Sequence, residues 1–143
     1  MPIRIRRLQL ADYDAIIGIF DACGLAPRIR GRDSRPNLAK QLRARSNTYL
    51  GAFDGPRLVG TVLATHDTRK GWINRLAVLP EYRHRGIAQK LVRAAERGLR
   101  AQGMEIFAAL IESDNAGSQA LFAKLGYDAQ GILYYRRKQR DDI

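Results

Sequence analysis

Cysteine is nearly absent from this chain. Cys23 stands alone among 143 residues, so no disulfide can close within it, and a reducing compartment is expected. No apolar run approaches the roughly twenty residues that a membrane span needs. The opening Met-Pro-Ile-Arg-Ile-Arg-Arg offers no apolar core for a secretory signal. Together these absences predict a cytoplasmic protein with no membrane partner. Histidine is scarce too: His66 and His84 have no metal-ligand arrangement with each other or with Cys23, so no metal is expected. Repeats, low-complexity tracts and linkers are missing, and residues 1–143 read as a single domain. That length buries a core without a metal or disulfide staple.

Acidic residues are few: 14 against 25 lysines and arginines, for a net charge of +11. Such an excess favours anionic partners. The arginines are dispersed over the N-terminus, the Arg28 to Arg35 segment, Arg83 to Arg100 and Arg136 to Arg140. With no interleaving of aromatic and basic residues, nucleic acid is disfavoured as the main partner.

What is present is a sequence of short periodic segments. Ile3 and Ile5 alternate with Arg4 and Arg6 as a first strand. Leu10 to Cys23 reads as a helix punctuated by Asp12 and Gly24. Gly24 to Pro36 is a basic loop, and a second helix runs from Pro36 to about Arg45. Strands are predicted at Thr48 to Phe53, Leu58 to Thr65 and Trp72 to Val78. Asp54-Gly55 marks a hairpin whose loop Pro56 is expected to lengthen. Gly86 to Gln102 reads as an amphipathic helix, Met104 to Ile111 as a buried strand and Ala116 to Leu125 as a last helix. Tyr127 to Ala129 and Ile132 to Lys138, turning at Gly131, would complete the sheet. The fold class is mixed α+β: a mostly antiparallel sheet, one right-handed parallel β-α-β crossover, and helices on both faces.

The chemistry concentrates in Leu76-Ala77-Val78-Leu79-Pro80-Glu81-Tyr82-Arg83-His84-Arg85-Gly86-Ile87-Ala88. A buried strand turns there into a helix, aiming unpaired N–H groups and the positive helix end at one point, a natural pyrophosphate site. Gly86 and Ala88 are small where phosphate oxygens would meet backbone, and Arg83 and Arg85 can add charge-assisted bonds. The segment has neither the Gly-Lys-Ser/Thr of a P-loop nor three spaced glycines, which disfavours triphosphates and NAD.

This stretch resembles the Gln/Arg-x-x-Gly-x-Gly/Ala loop of the GCN5-related N-acetyltransferases (GNAT). Downstream, Asn115-Ala116-Gly117-Ser118-Gln119-Ala120-Leu121-Phe122-Ala123-Lys124-Leu125-Gly126-Tyr127 is similar to the family's Asn-x-x-Ala/Ser-x-x-Leu-Tyr-x-Lys-x-Gly-Phe segment. The resemblance covers the chain from about Leu58 onward and implies a GNAT-like fold with acetyl-CoA as cosubstrate. It implies that the Leu76 backbone N–H faces the acetyl carbonyl, and that the backbone of Ala77 and Val78 lies along the pantetheine arm. Amides of Arg85, Gly86, Ile87 and Ala88 would cradle the pyrophosphate, with Arg83 and His84 beside it. Asn115 and Ser118 would serve the pantetheine, and Phe122 and Lys124 the thiol arm and nucleotide end.

The pattern also breaks. The run Trp72 to Val78 contains no glutamate to act as base, so Glu112 is the candidate, with Asn74 an alternative that positions water. Phe122 stands where many relatives have a tyrosine that returns a proton to the CoA thiolate. Tyr127 is the candidate replacement, with Tyr134, Tyr135, water or an unprotonated departure as alternatives. The expected reaction moves an acetyl group to a primary amine of a small molecule or protein, by direct attack in a ternary complex. The arginines of the Gly24–Pro36 loop favour an anionic acceptor, and the protein would be a monomer or homodimer. A non-catalytic acyl-CoA sensor is the alternative, and a basic nucleic-acid binder a more distant one.

Overall fold

In the computed structural model the described residues are 2–129 and 131–141. Their elements run β1 (Ile3–Arg7), a 3-10 turn (Leu10–Asp12), α1 (Tyr13–Ala22), α2 (Arg35–Arg43), β2 (Thr48–Asp54), β3 (Arg57–His66), β4 (Gly71–Val78), a second 3-10 turn (Pro80–Tyr82), α3 (Ile87–Ala101), β5 (Phe107–Ala109) and α4 (Ala116–Lys124). The strands lie in chain order. Successive pairs from β1 to β4 are antiparallel, and β4–β5 is parallel across the α3 crossover. This is the mixed sheet the sequence predicts.

Local chemistry explains most boundaries. The first turn of α2 is capped by Ser34, whose hydroxyl accepts from the Asn37 N–H at 3.3 Å, and Pro36 sits where no backbone donor is needed. The Asp12 carboxylate accepts from the Gln9 N–H and pairs with Arg6 at 3.0 Å, closing the turn that leads into α1. Helix α3 buries Ile87, Leu91, Val92, Ala95 and Leu99 on one stripe. Each of the larger side chains, Ile87, Leu91, Val92 and Leu99, contributes roughly 1.5–3 kcal/mol by leaving water. The helix lies so close to the sheet that a Cβ at Gly71 would meet the Leu99 side chain at 2.5 Å. Thr48 faces Gly98 of α3, so by strand alternation Tyr49 faces the other side, toward the loop between α1 and α2.

Three expectations are corrected. The β2–β3 loop is only Gly55-Pro56, because Asp54 pairs with Arg57. Gly55 supplies the positive φ (58°) that the first turn position demands, leaving proline the second. The apolar run Met104–Ile111 yields just three strand residues, since β4 and β5 pair only from Gly71–Phe107 to Ile73–Ala109. Met104 serves the end of α3 instead, its N–H donating to Leu99 O, while Ile106 and Leu110 are exposed. Finally, no strand follows α4 among the described residues; Gln130, within that stretch, lies outside them. Ile132-Leu133-Tyr134-Tyr135 has four apolar residues in a row and no period-two pattern, so nothing gives the segment a preferred face. All four are exposed, from 65% to 85%.

Candidate functional site

The sheet opens where β4 changes direction. Thr61 of β3 pairs with Ala77 and Leu63 pairs with Asn74, so β4 carries one extra residue across that interval. The bulge centres on Arg75, a non-glycine residue held at φ 52°. Such a conformation costs of order 1–3 kcal/mol and persists only where its surroundings enforce it. Two contacts do so. The buried Thr61 hydroxyl donates to the Arg75 carbonyl at 2.8 Å, and the Arg75 guanidinium pairs with the buried Asp33 carboxylate at 3.1 Å.

Beyond the bulge, Leu76, Ala77 and Val78 have no β5 partner among the described residues. The Leu79 N–H donates to Val59 O at 2.9 Å, so the β3-facing amides fall on Leu79 and Ala77. Alternation turns those of Val78 and Leu76 toward the side from which β5 has departed. The Val78 carbonyl accepts from Arg83 Nε at 3.1 Å and from Cys23 Sγ at 3.4 Å.

The far end of this opening is the start of α3. His84 and Gly86 both adopt left-handed φ (62° and 76°), bracketing Arg85, and Gly86 caps the helix with no side-chain bond. The result is a concave run of backbone N–H groups at the positive end of a 15-residue helix, the arrangement that binds phosphate oxygens. A Cβ on Gly86 would meet no other atom within 4 Å, so its left-handed φ is what a side chain there would strain. The loop's base is anchored elsewhere: Tyr82 donates to the Asp54 carboxylate at 2.6 Å, and that bond raises the Tyr82 pKa. The Arg85 guanidinium lies 4.8 Å over the Tyr82 ring and donates to Glu81 O. Arg83, His84 and Arg85 are exposed, while Ile87 is buried and Ala88 half-buried.

The second motif is divided between surface and core. Asn115 is the N-cap of α4, its side-chain oxygen accepting from the Ser118 N–H at 3.1 Å. Lys124 is exposed. Phe122 is buried and packs edge-on to Tyr127, with ring centroids 5.0 Å apart. The Tyr127 hydroxyl donates to the buried Glu96 of α3 at 2.5 Å, and Glu96 also holds Arg93 at 2.8 Å. Burial first, then the Glu96 bond, push the Tyr127 pKa well up. Glu112 is exposed just before α4, and its carbonyl accepts from Asn115 N and from Gln119 Nε2.

The family profile described as the Acetyltransferase (GNAT) family matches residues 13–127. The chain belongs to the GNAT acetyltransferase family. As such it is an acetyl-CoA-dependent acetyltransferase. It is 29% identical over 142 residues to an acetyltransferase of Pectobacterium atrosepticum, covering 99% of this chain and 98% of that one. It is similar in fold to the PaiA N-acetyltransferase of Thermoplasma acidophilum, solved in complex with coenzyme A. There the TM-score is 0.84 at 22% identity, covering 92% of this chain and 93% of that one. An aminoglycoside N-acetyltransferase, likewise solved with CoA, gives a TM-score of 0.80 at 19% identity, covering 97% of this GNAT chain and 96% of that one.

Sequence reasoning missed Asp33 and Arg75, which tie the loop between α1 and α2 to β4 of this GNAT chain. Asp33 is the hub: its carboxylate takes Arg75 and the Arg28 N–H, its N–H donates to Arg28 O, and its carbonyl accepts the Tyr13 hydroxyl at 2.7 Å. One signal was available, since Asp33 is the only acidic residue between Asp21 and Asp54. Arg75 gave none, because its role depends on a bulge that no glycine marks.

Proposed function

We propose that this chain transfers acetyl from acetyl-CoA to the primary amine of an acceptor that carries negative charge. The observation that carries the reading is the opening of β4 past Arg75, continuous with the uncapped start of α3. A pantetheine arm needs an unpaired strand edge and a pyrophosphate needs a cluster of N–H donors, and this arrangement offers both in line. The open space before Gly86 fits the cosubstrate, because phosphate oxygens can approach the backbone only where no Cβ intervenes.

Acetyl-CoA supplies an activated acetyl group. The Leu76 N–H is the donor for the carbonyl oxygen as negative charge grows on it, a contribution on the order of 3 kcal/mol at the transition state. Amides of Arg85 to Ala88 hold the pyrophosphate, and Arg83 would release the Val78 carbonyl to join them. Asn115 and Ser118 flank the arm from α4, with Lys124 toward the nucleotide end. Glu112, exposed before α4, takes the proton from the acceptor amine through water. The amine nitrogen bonds to the acetyl carbon, the carbon–sulfur bond breaks, and the thiolate leaves. Tyr127 is already engaged by Glu96 and Phe122 has no hydroxyl, so the thiolate gains its proton from water. The cations around Asp33 disfavour polycationic acceptors of the aminoglycoside kind.

The test pairs calorimetric titration of acetyl-CoA with CoA release over a panel of amines. Binding with turnover on anionic amines is expected. Binding without turnover on any amine would make the chain an acyl-CoA sensor and overturn the reading.

A further inference from the structure

Two separate parts of the chain bring positive charge to one place. The loop between α1 and α2 presents Arg28 and Arg32 around its Asp33 hub. The C-terminal segment arrives beside it, with Arg140 Nη2 donating to Arg30 O at 2.9 Å across 110 residues of sequence. That contact sets Arg136 and Lys138 against the loop. Their mutual proximity registers in their ionisation. Burial, then Arg75, Arg28 and Arg136, push the Arg32 pKa down against the opposing pull of Asp33. Desolvation, then Arg28, Arg136 and Arg32, push Lys138 down against the pull of Asp141. Asp33 is already committed to Arg75, so among the described residues the cluster holds more cations than Asp33 and Asp141 balance.

The cluster is tied to the reacting point. Asp33 grips Arg75, and Arg75 directly precedes Leu76, the proposed donor to the acetyl carbonyl. The C-terminal segment continues the surface with the exposed Ile132, Leu133, Tyr134 and Tyr135. Four cations on two segments, beside four exposed apolar side chains, exceed what one small carboxylate could cover. An extended ligand with several negative charges matches them.

We propose that the acceptor is the α-amino group of an acidic peptide, and that Arg136 and Lys138 of the C-terminal segment bind its first acidic side chains together with Arg28 and Arg32. This rests on the acetyltransfer reading above. An α-amine suits the site for a second reason. Its pKa of about 8 leaves a larger neutral fraction than a lysine at about 10.4, so it makes less demand on a base as exposed as Glu112. The transfer balances as before: a C–N bond forms, the C–S bond breaks, the amine proton passes through water to Glu112, and the thiolate takes a proton from water.

The experiment measures kcat/KM with acetyl-CoA and three hexapeptides of matched length, bearing acidic, neutral or lysine residues at positions two to four. With the full chain the acidic peptide is expected to exceed the lysine peptide by about 30-fold, the gap shrinking as salt rises. The double variant Arg136→Glu, Lys138→Glu should reverse the order by gaining rate on the lysine peptide, a gain only a folded enzyme can show. Equal rates on all three peptides, or an order the double variant leaves unchanged, overturn the proposal. Turnover of small anionic amines but of no peptide overturns it while leaving the acetyltransfer reading intact. Acetyl-CoA binding with no turnover of any acceptor removes both.

Discussion

The two walls of the β4 opening are built in different ways. On the α3 side, two short-range bonds, Arg85 to Glu81 and Arg83 to Val78, and one longer-range bond, Tyr82 to Asp54, fix the loop. The groups proposed to hold the cosubstrate there are mostly backbone amides. On the side proposed for the acceptor, residues 24–34 form turns rather than helix or strand; the Asp33 carboxylate holds them to Arg75, and Asn37 and Gln41 of α2 donate to the Gly31 and Arg32 carbonyls. The groups proposed to meet the acceptor there are side chains. One wall can keep the same cosubstrate through many changes of sequence, whereas the other can change its acceptor with a few substitutions.

Breaking the acceptor wall should give the largest stability effect. Asp33→Ala leaves the mostly buried Arg75 charge without its carboxylate, and removing one partner of a buried pair costs about 3–5 kcal/mol. Denaturant unfolding should show that loss, and the acceptor KM of the folded fraction should rise more than the acetyl-CoA affinity falls. Equal losses on both would dissolve the distinction between the walls.

The bulge joins the two walls, and Thr61→Val tests it. The Arg75 carbonyl would lose its buried donor, at a cost of about 1–3 kcal/mol. If the bulge sets the direction of the Leu76 amide, kcat should fall about tenfold or more with acetyl-CoA affinity nearly unchanged. An unaltered kcat would separate the bulge from the chemistry.

The smallest effect concerns Tyr127, whose hydroxyl is held by Glu96. Tyr127→Phe should lower stability by about 1 kcal/mol and leave kcat unchanged. The sign with pH is fixed. Burial and Glu96 raise the Tyr127 pKa above its unfolded value near 10.0, so its contribution is full below that pH and drains as pH climbs beyond it. The stability gap between wild type and variant should therefore narrow in alkali. A kcat loss in Tyr127→Phe would instead return the hydroxyl to the reaction.

What could be read in the sequence follows the same division. The Arg83 to Ala88 loop was legible because helix start, glycine and arginines are neighbours in the chain, and spacing alone carries their geometry. Asp33 and Arg75 lie 42 residues apart, and only folding reveals that they meet. Nothing in the sequence around Tyr127 shows its bond to Glu96, which lies 31 residues earlier on α3. The Met104–Ile111 run read as a long strand because apolar content says nothing of where a neighbouring strand turns away. The bulge at Arg75 limits β5 to three residues, and the residues after α4 add no strand among those described.

The central claim is that backbone amides at the start of α3 hold the cosubstrate, and Gly86→Val tests it most directly. Valine at φ 76° is strained by about 1–3 kcal/mol, and relief of that strain would turn the neighbouring amides out of the cradle. Calorimetric titration of acetyl-CoA into the folded variant should show affinity reduced by about 100-fold or more, with thermal unfolding shifted by only a few degrees. Wild-type affinity in that variant would contradict the account.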